Sequence, residues 1–164
     1  MGKIPLEICW LPRPATKYPG CYPLGFEQML PTILQTTNYV HLFSGKAKTG
    51  YRIDIKSELQ PDLVANIENL NMINDATFDG AMADPPYKKD GGGDFSMELY
   101  KVPYPKWSIW TKEMVRIVKP GSLIAVMENY ILPRITDCDY VKILCILTRV
   151  KQYPKIVTIQ RRRK

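Results

Sequence analysis

The stretch "FDGAMADPPY", residues 78–87, decides how the rest of the chain is read. An apolar run short enough for a buried strand ends on an acidic residue, Asp84, and is followed at once by Pro85, Pro86 and Tyr87. Two consecutive prolines fix φ and remove two amide donors, so the backbone is stiff, cannot extend a sheet ladder and leaves its carbonyls free. The carboxylate of Asp84 and the carbonyl of Pro85 can then both accept from one planar NH2 group, while the Tyr87 ring stacks on the base that carries it. An amine conjugated with its ring is a poor nucleophile. Two acceptors pulling on its protons turn the nitrogen lone pair out of the plane, toward an electrophile. The plainer alternative is a Pro-Pro turn that ends a strand.

Outward from this stretch the chain alternates strands with few helices. Upstream, "GFEQMLPTIL" (25–34) puts Phe26, Met29, Leu30, Ile33 and Leu34 on one helical face, with Pro31 either kinking the helix or opening a shorter one. The short runs "YVHLF" (39–43), "YRIDI" (51–55), "DLVA" (62–65) and, downstream, "SLIAVME" (122–128) read as strands of a parallel sheet. Between Tyr87 and the last of these, "PKWSIWTKEMVRIVKPG" (105–121) carries Trp107, Trp110, Met114, Ile117 and Val118 at helical spacing, with Pro120-Gly121 as the stop. Strand, helix, strand is a parallel crossover. The end differs: "YVKILCILTRV" and "KIVTIQR" are joined only by "KQYP", which permits a hairpin and forbids a helical crossover. The expected fold is α/β, a Rossmann-like, mostly parallel sheet closed by a C-terminal antiparallel hairpin strand. Residues 1–24, with five of the 14 prolines, read as an extended arm, and residues 25–164 as one domain.

In such a sheet ligands lie beyond the carboxyl ends of the strands, where strand order reverses. Those ends hold "FSGKAKTG" (43–50), Asp54, Asn66 and Asp84. Gly45 lets a ligand come close to the backbone, and Asp54 can accept from the two hydroxyls of a ribose. Each has a simpler reading, the glycine as a turn and the aspartate as a cap. After Tyr87, "KKDGGGDFSMELYKVPYP" (88–105) reads either as a lid whose Lys88 and Lys89 meet phosphates or as a connector.

Taken together these segments resemble the class I S-adenosylmethionine-dependent methyltransferases, and within them the amino-methyltransferases of adenine and cytosine, whose motif is Asp, Asn or Ser, then Pro-Pro, then Tyr or Phe. "HLFSG" matches the cofactor motif, "RID" the ribose-binding strand end, "PDLVANIENL" the third strand and its loop, "FDGAMADPPY" the catalytic strand and "MVRIVKPGSLIAV" the segment after it. The resemblance implies S-adenosyl-L-methionine as cofactor. It places Phe43, Ser44 and Gly45 beside the methionine part, Asp54 at the ribose, Asn66 and Ile67 at the adenine, and Asp84 between cofactor and substrate. Asp84, Pro85, Pro86 and Tyr87 would then be the catalytic group, with Tyr87, Lys88 and Lys89 holding the substrate. Three positions depart from the family's pattern: His41 and Asn66 stand where it has acidic residues, and Ala47 where it has a glycine. The first crossover is also short. Only seven residues separate Phe43 from Tyr51, too few for a helix, so one sheet face is expected to be covered by the arm or by a second copy of the chain.

Composition is compatible with this reading. A hydrophobic fraction of 45% with 24% charged residues is that of a globular domain, and no apolar run spans a bilayer. Four scattered cysteines and a single histidine point to a reduced, cytoplasmic, metal-free protein without a secretory signal. The net charge of +7 is concentrated in the final "RRRK"; without it 19 basic face 16 acidic groups. Such a tail serves either nucleic-acid attraction or solubility. The function expected is methyl transfer to the exocyclic amine of adenine in nucleic acid, DNA slightly before RNA. Sequence specificity would be short, supplied by another protein such as a specificity subunit, or directed to a structured RNA, and the partners expected are nucleic acid and either a second copy of the chain or such a subunit. The alternative is a catalytically degenerate fold-mate that binds cofactor or nucleic acid as an accessory subunit, in one version through the "QRRRK" tail.

Overall fold

The computed structural model describes residues 3–13, 21–86, 103–148 and 153–164. The elements run β1 (Leu6–Trp10), α1 (Phe26–Leu34), β2 (Val40–Leu42), β3 (Tyr51–Asp54), β4 (Leu63–Val64), β5 (Phe78–Ala83), α2 (Trp107–Ile117), β6 (Val118–Glu128), β7 (Cys138–Leu147) and β8 (Lys155–Arg162). All eight strands form one sheet in the order β4-β3-β2-β5-β6-β8-β7-β1. Only β8 runs against its neighbours, pairing antiparallel with both β6 and β7. The mostly parallel sheet with its C-terminal hairpin is therefore as the sequence indicated.

Strand alternation assigns the two faces. On one side Leu42, Ile53, Ala83 and Val126 meet α2 through Trp110, Met114 and Ile117. On the other, Met82, Ala125, Met127 and Val157 meet α1 through Phe26, Leu30 and Leu34. Pro31 sits inside α1, which continues through it, so the helix is neither restarted nor ended there. The stop of α2 falls earlier than Pro120-Gly121, because Val118 already has extended angles and opens β6. Pro120 and Gly121 (φ +84°) instead lie in the irregular start of that strand, where the register with β5 shifts between Phe78 and Gly80. The missing N–H of a proline and the left-handed glycine suit such an interruption.

The first crossover has no helix: residues 43–50 alone carry the chain from β2 to the parallel β3. The cover expected over this part of the sheet is not supplied by β1, which pairs parallel with β7 at the opposite edge. The α1 side of β3 and β4 is instead made tolerant of water. Register places Arg52 and Val64 there, with Arg52 paired to Asp62 at 3.1 Å and Val64 exposed. The arm does reach the α1 side further in, where Tyr22 is buried against Phe26 and His41.

Candidate active site

Strand order reverses at β2, which lies between β3 and β5 although the chain visits β3 and β4 before crossing to β5. The carboxyl ends of β2 and β5 therefore border one crevice, and they carry Phe43-Ser44-Gly45 and Asp84-Pro85-Pro86. A backbone hydrogen bond from Asp84 N–H to the Leu42 carbonyl, 3.4 Å, marks where the two strand ends meet.

The loop after β2 is built tightly. Phe43 and Gly45 both take left-handed angles (φ 53° and 52°), which turns the chain sharply at the strand end. For phenylalanine this conformation costs of order 1 kcal/mol or more, and the ring's edge-on contact with Trp110, 5.4 Å between centroids at 90°, holds it there. Ser44 N–H donates to the Ile53 carbonyl, 3.1 Å, and Gly45 N–H to Asp54 Oδ2, 2.8 Å. The other Asp54 oxygen accepts from Lys56 N–H, 3.0 Å. Asp54 is thus a buried clamp between the loop after β2 and the end of β3, with lone pairs left over for further donors. The Ser44 hydroxyl is different: its residue is 2% exposed and its Oγ has no hydrogen-bond partner. An unmet buried hydroxyl is worth about 1–3 kcal/mol of lost hydrogen bonding, and it lies where this fold places ligands.

Further along the rim, Asn66 is exposed and its Oδ1 accepts from Glu68 N–H at 3.0 Å, a side-chain turn, while Ile67 is buried in the α2-side core. Asp84 is half-buried, Pro85 buried and Pro86 half-buried. Tyr87, Lys88 and Lys89 lie outside the described residues. The structure accordingly gathers Phe43, Ser44, Gly45, Asp54 and Asp84 around the switch point, and sets Asn66 and Ile67 on the adjoining β4 loop.

Two features escaped the sequence reading. Glu128, the last residue of β6, is 2% exposed, and burial, reinforced by the negative charge of Asp84, pushes its carboxyl up to about 8. Lys155 opens β8 beside it; burial lowers its ammonium, while Asp84 and Glu128 raise it. The signal was present: "SLIAVME" runs from apolar residues into an acid at its end, as "FDGAMAD" does. The second feature lies beneath the loop. His41 is fully buried, its Nε2 accepting from Tyr22 O–H at 2.6 Å and its Nδ1–H donating to the Thr49 carbonyl at 3.2 Å. Burial holds its pKa down at about 4, so a neutral imidazole occupies this position.

The basic tail does not stand free. Arg161 donates to the Gly121 carbonyl at 3.0 Å, Arg162 to the carbonyls of Arg116 and Val118, and Arg163 to both oxygens of Asp139. Because β8 is antiparallel, these groups lie at the end of the sheet away from the crevice.

No protein-family model matches the chain, and no curated protein resembles it in sequence. Solved structures share its fold. TrmN from Thermus thermophilus superposes with a TM-score of 0.57 at 12% identity, over 83% of this chain and 48% of that one. A rRNA methylase from Streptococcus thermophilus gives 0.51 at 10%, over 84% and 94%. The N-methyltransferase NodS from Bradyrhizobium japonicum WM9 gives 0.55 at 9%, over 84% and 94%. The chain spans about half the length of TrmN but nearly all of the other two. Identities this low speak for the fold alone. That fold is the class I methyltransferase fold, here with a helix-free first crossover and with β1 at one edge of the sheet.

Proposed function

We propose that the protein transfers a methyl group from S-adenosylmethionine to the exocyclic amine of a nucleobase in nucleic acid, adenine before cytosine. The observation that carries this reading is the meeting of Asp84-Pro85-Pro86 with the Phe43-Ser44-Gly45 loop at the switch point of a methyltransferase fold. The orphaned Ser44 hydroxyl and the lone pairs left on Asp54 fit a polar ligand in that loop. When bound, S-adenosylmethionine supplies a methyl group whose carbon–sulfur bond breaks, with its electron pair going to sulfur, as the amine nitrogen attacks. The chain's own part is to orient and to move a proton. Asp84 and the Pro85 carbonyl accept from the NH2 group and align its lone pair, and the Asp84 carboxylate takes the proton that the methylated nitrogen sheds. Tyr87 stacks on the base. RNA stands beside DNA as substrate, since one protein sharing the fold is a rRNA methylase.

Transfer of tritiated methyl groups to mixed RNA and DNA tests the reading. The unmodified chain should label one of them, and Asp84→Ala should lower incorporation about 100-fold or more. Equal labelling by both proteins would remove Asp84 from the mechanism. A second reading, a chain that binds cofactor or nucleic acid without catalysis, draws on Asp54 and Asn66, whose side-chain oxygens already accept backbone N–H groups. Calorimetric heat with S-adenosylmethionine but no labelling would favour it.

A further inference from the structure

A row of unpaired N–H and C=O groups at a sheet edge is a template for another strand, and soluble proteins blunt it with short strands, charges, prolines or bulges. The β4 edge is blunted: it is two residues long. The β1 edge is not. β1 has five residues and no proline, and it pairs with β7 without a register shift. Its one charge, Glu7, is met by Lys142 at 3.0 Å. Cys9 and Leu11 pack on the α1-side core, so alternation turns Leu6, Ile8 and Trp10 to the α2 side, where they are 60%, 66% and 57% exposed. The backbone of the same three residues faces outward. Ile143 N–H donates to the Pro5 carbonyl, 2.9 Å, and Leu11 N–H to the Leu147 carbonyl, 3.0 Å. Odd-numbered residues here therefore turn their polar groups toward β7, and even-numbered ones turn theirs away from it. Among the described residues no strand lies on that outer side.

A second copy of the chain fits this edge, in a register that the sequence restricts. Pro12 has no N–H to give, so an added ladder ends after Trp10. Antiparallel pairing centred on Ile8 then engages all of β1: Leu6 stands opposite Trp10 of the second copy, Ile8 opposite its own equivalent, and Trp10 opposite Leu6. These are the residues with outward backbone groups, so each pair exchanges two hydrogen bonds. Their side chains meet on one face as apolar cross-strand pairs. On the other face Glu7 stands opposite Cys9, and no like charges meet within the strand. An axis one residue earlier would set Glu7 against its own equivalent. We propose that β1 is the dimerisation strand of this protein, joining the eight-stranded sheets of two copies across a two-fold axis at Ile8. The contact buries on the order of 1,000 Å² in total, the size of a weak interface whose partners exchange. It uses up the edge on both copies, so association closes at two. It lies at the edge away from the short first crossover, and it turns the two crevices in opposite directions, leaving each as it is in the single chain.

Sedimentation equilibrium of the full chain from about 1 to about 200 µM tests the proposal. The mean mass should rise from that of one chain toward twice that value and stop there. Ile8→Lys, at a position already exposed, sets two ammonium groups on the axis; it should weaken the dimer at least about tenfold with an unchanged circular dichroism spectrum. The mass of one chain throughout, species beyond two copies, or a dimer indifferent to Ile8→Lys overturns the proposal. Cross-linking reads the register independently. Glu7 and Cys9 of the two copies form a non-hydrogen-bonded pair, with Cα atoms about 4.5 Å apart, which suits a disulfide. Glu7→Cys treated with diamide, which takes up the two thiol hydrogens, should give a covalent dimer on a non-reducing gel. The unmodified chain and the double variant Glu7→Cys/Cys9→Ser should not. A cross-link that survives Cys9→Ser, or none in Glu7→Cys although the chain sediments as a dimer, overturns this pairing.

Discussion

His41 shows how a departure from a family pattern can be visible in the sequence while what takes over its place is not. The family resemblance puts an acid there, and the structure puts a neutral imidazole, locked between the Tyr22 hydroxyl and the Thr49 carbonyl. Its pKa falls from 6.5 to about 4, because burial disfavours the charged ring. The stability that comes from keeping it neutral is therefore present in full above pH 6.5 and is lost as pH falls through 4, amounting to about 3 kcal/mol at most. Urea denaturation between pH 7 and 4 should show that decline, and His41→Asn, which has no proton to gain, should flatten it. Glu128 has the opposite sign: its pKa is raised from 4.5 to about 8, so its contribution is complete below 4.5 and disappears as pH rises through 8. Neither effect could be read from the sequence. Each depends on how completely water is excluded, and burial of a particular atom is a property of the packed chain, not of the local pattern.

Among the elements, the β2–β3 connection carries the most consequence. Its seven-residue spacing was legible, and with it the absence of a helix. What replaces the helix was not, because the answer lies in contacts between distant residues. Glu27, in the first turn of α1, accepts from Lys48 N–H at 2.7 Å and from the Thr49 hydroxyl at 3.0 Å, pinning the loop from above. Gly50 then turns at φ +74° against the Tyr39 ring, where an added Cβ would lie 2.5 Å from a ring carbon and 3.0 Å from the Tyr39 carbonyl. Gly50→Ala should accordingly cost about 2 kcal/mol or more, read as a lower urea midpoint with an unchanged slope. The same distinction explains α2. Helical spacing continued through Val118, yet the chain leaves the helix at Ile117 because β6 needs Val118 beside Phe78. Propensity yielded to pairing. Arg116, at that junction, ties the loop before β5 to α2, donating to the carbonyls of Leu70 and Ile73 and to Glu113 and Asp75.

At the scale of the whole molecule, the apolar runs and the short final connection were enough to expect a mostly parallel sheet finished by an antiparallel strand, while the strand order came only from the structure. The arm was the part least legible. Its prolines announced extension, but nothing local says that Leu6–Trp10 would pair with β7, which is far off in sequence. Leu6, Ile8 and Trp10 remain largely exposed on β1, whereas Cys9 and Leu11 pack on the α1-side core. Removing residues 1–13 should therefore lower the melting temperature by several degrees without unfolding the domain, and S-adenosylmethionine should bind the shortened protein as before. Circular dichroism and calorimetry on that truncation check both outcomes; a chain that fails to fold would show β1 to be part of the central scaffold.

The pairing of β1 with β7 also sets an order of events during synthesis. Among the described strands β1 pairs with β7 alone, and β7 is made after every element that lies between them in sequence, so β1 must wait while those are translated. A nascent chain arrested before Cys138 would carry β1 without that partner, and a chaperone that holds unpaired apolar strands would find its binding site there.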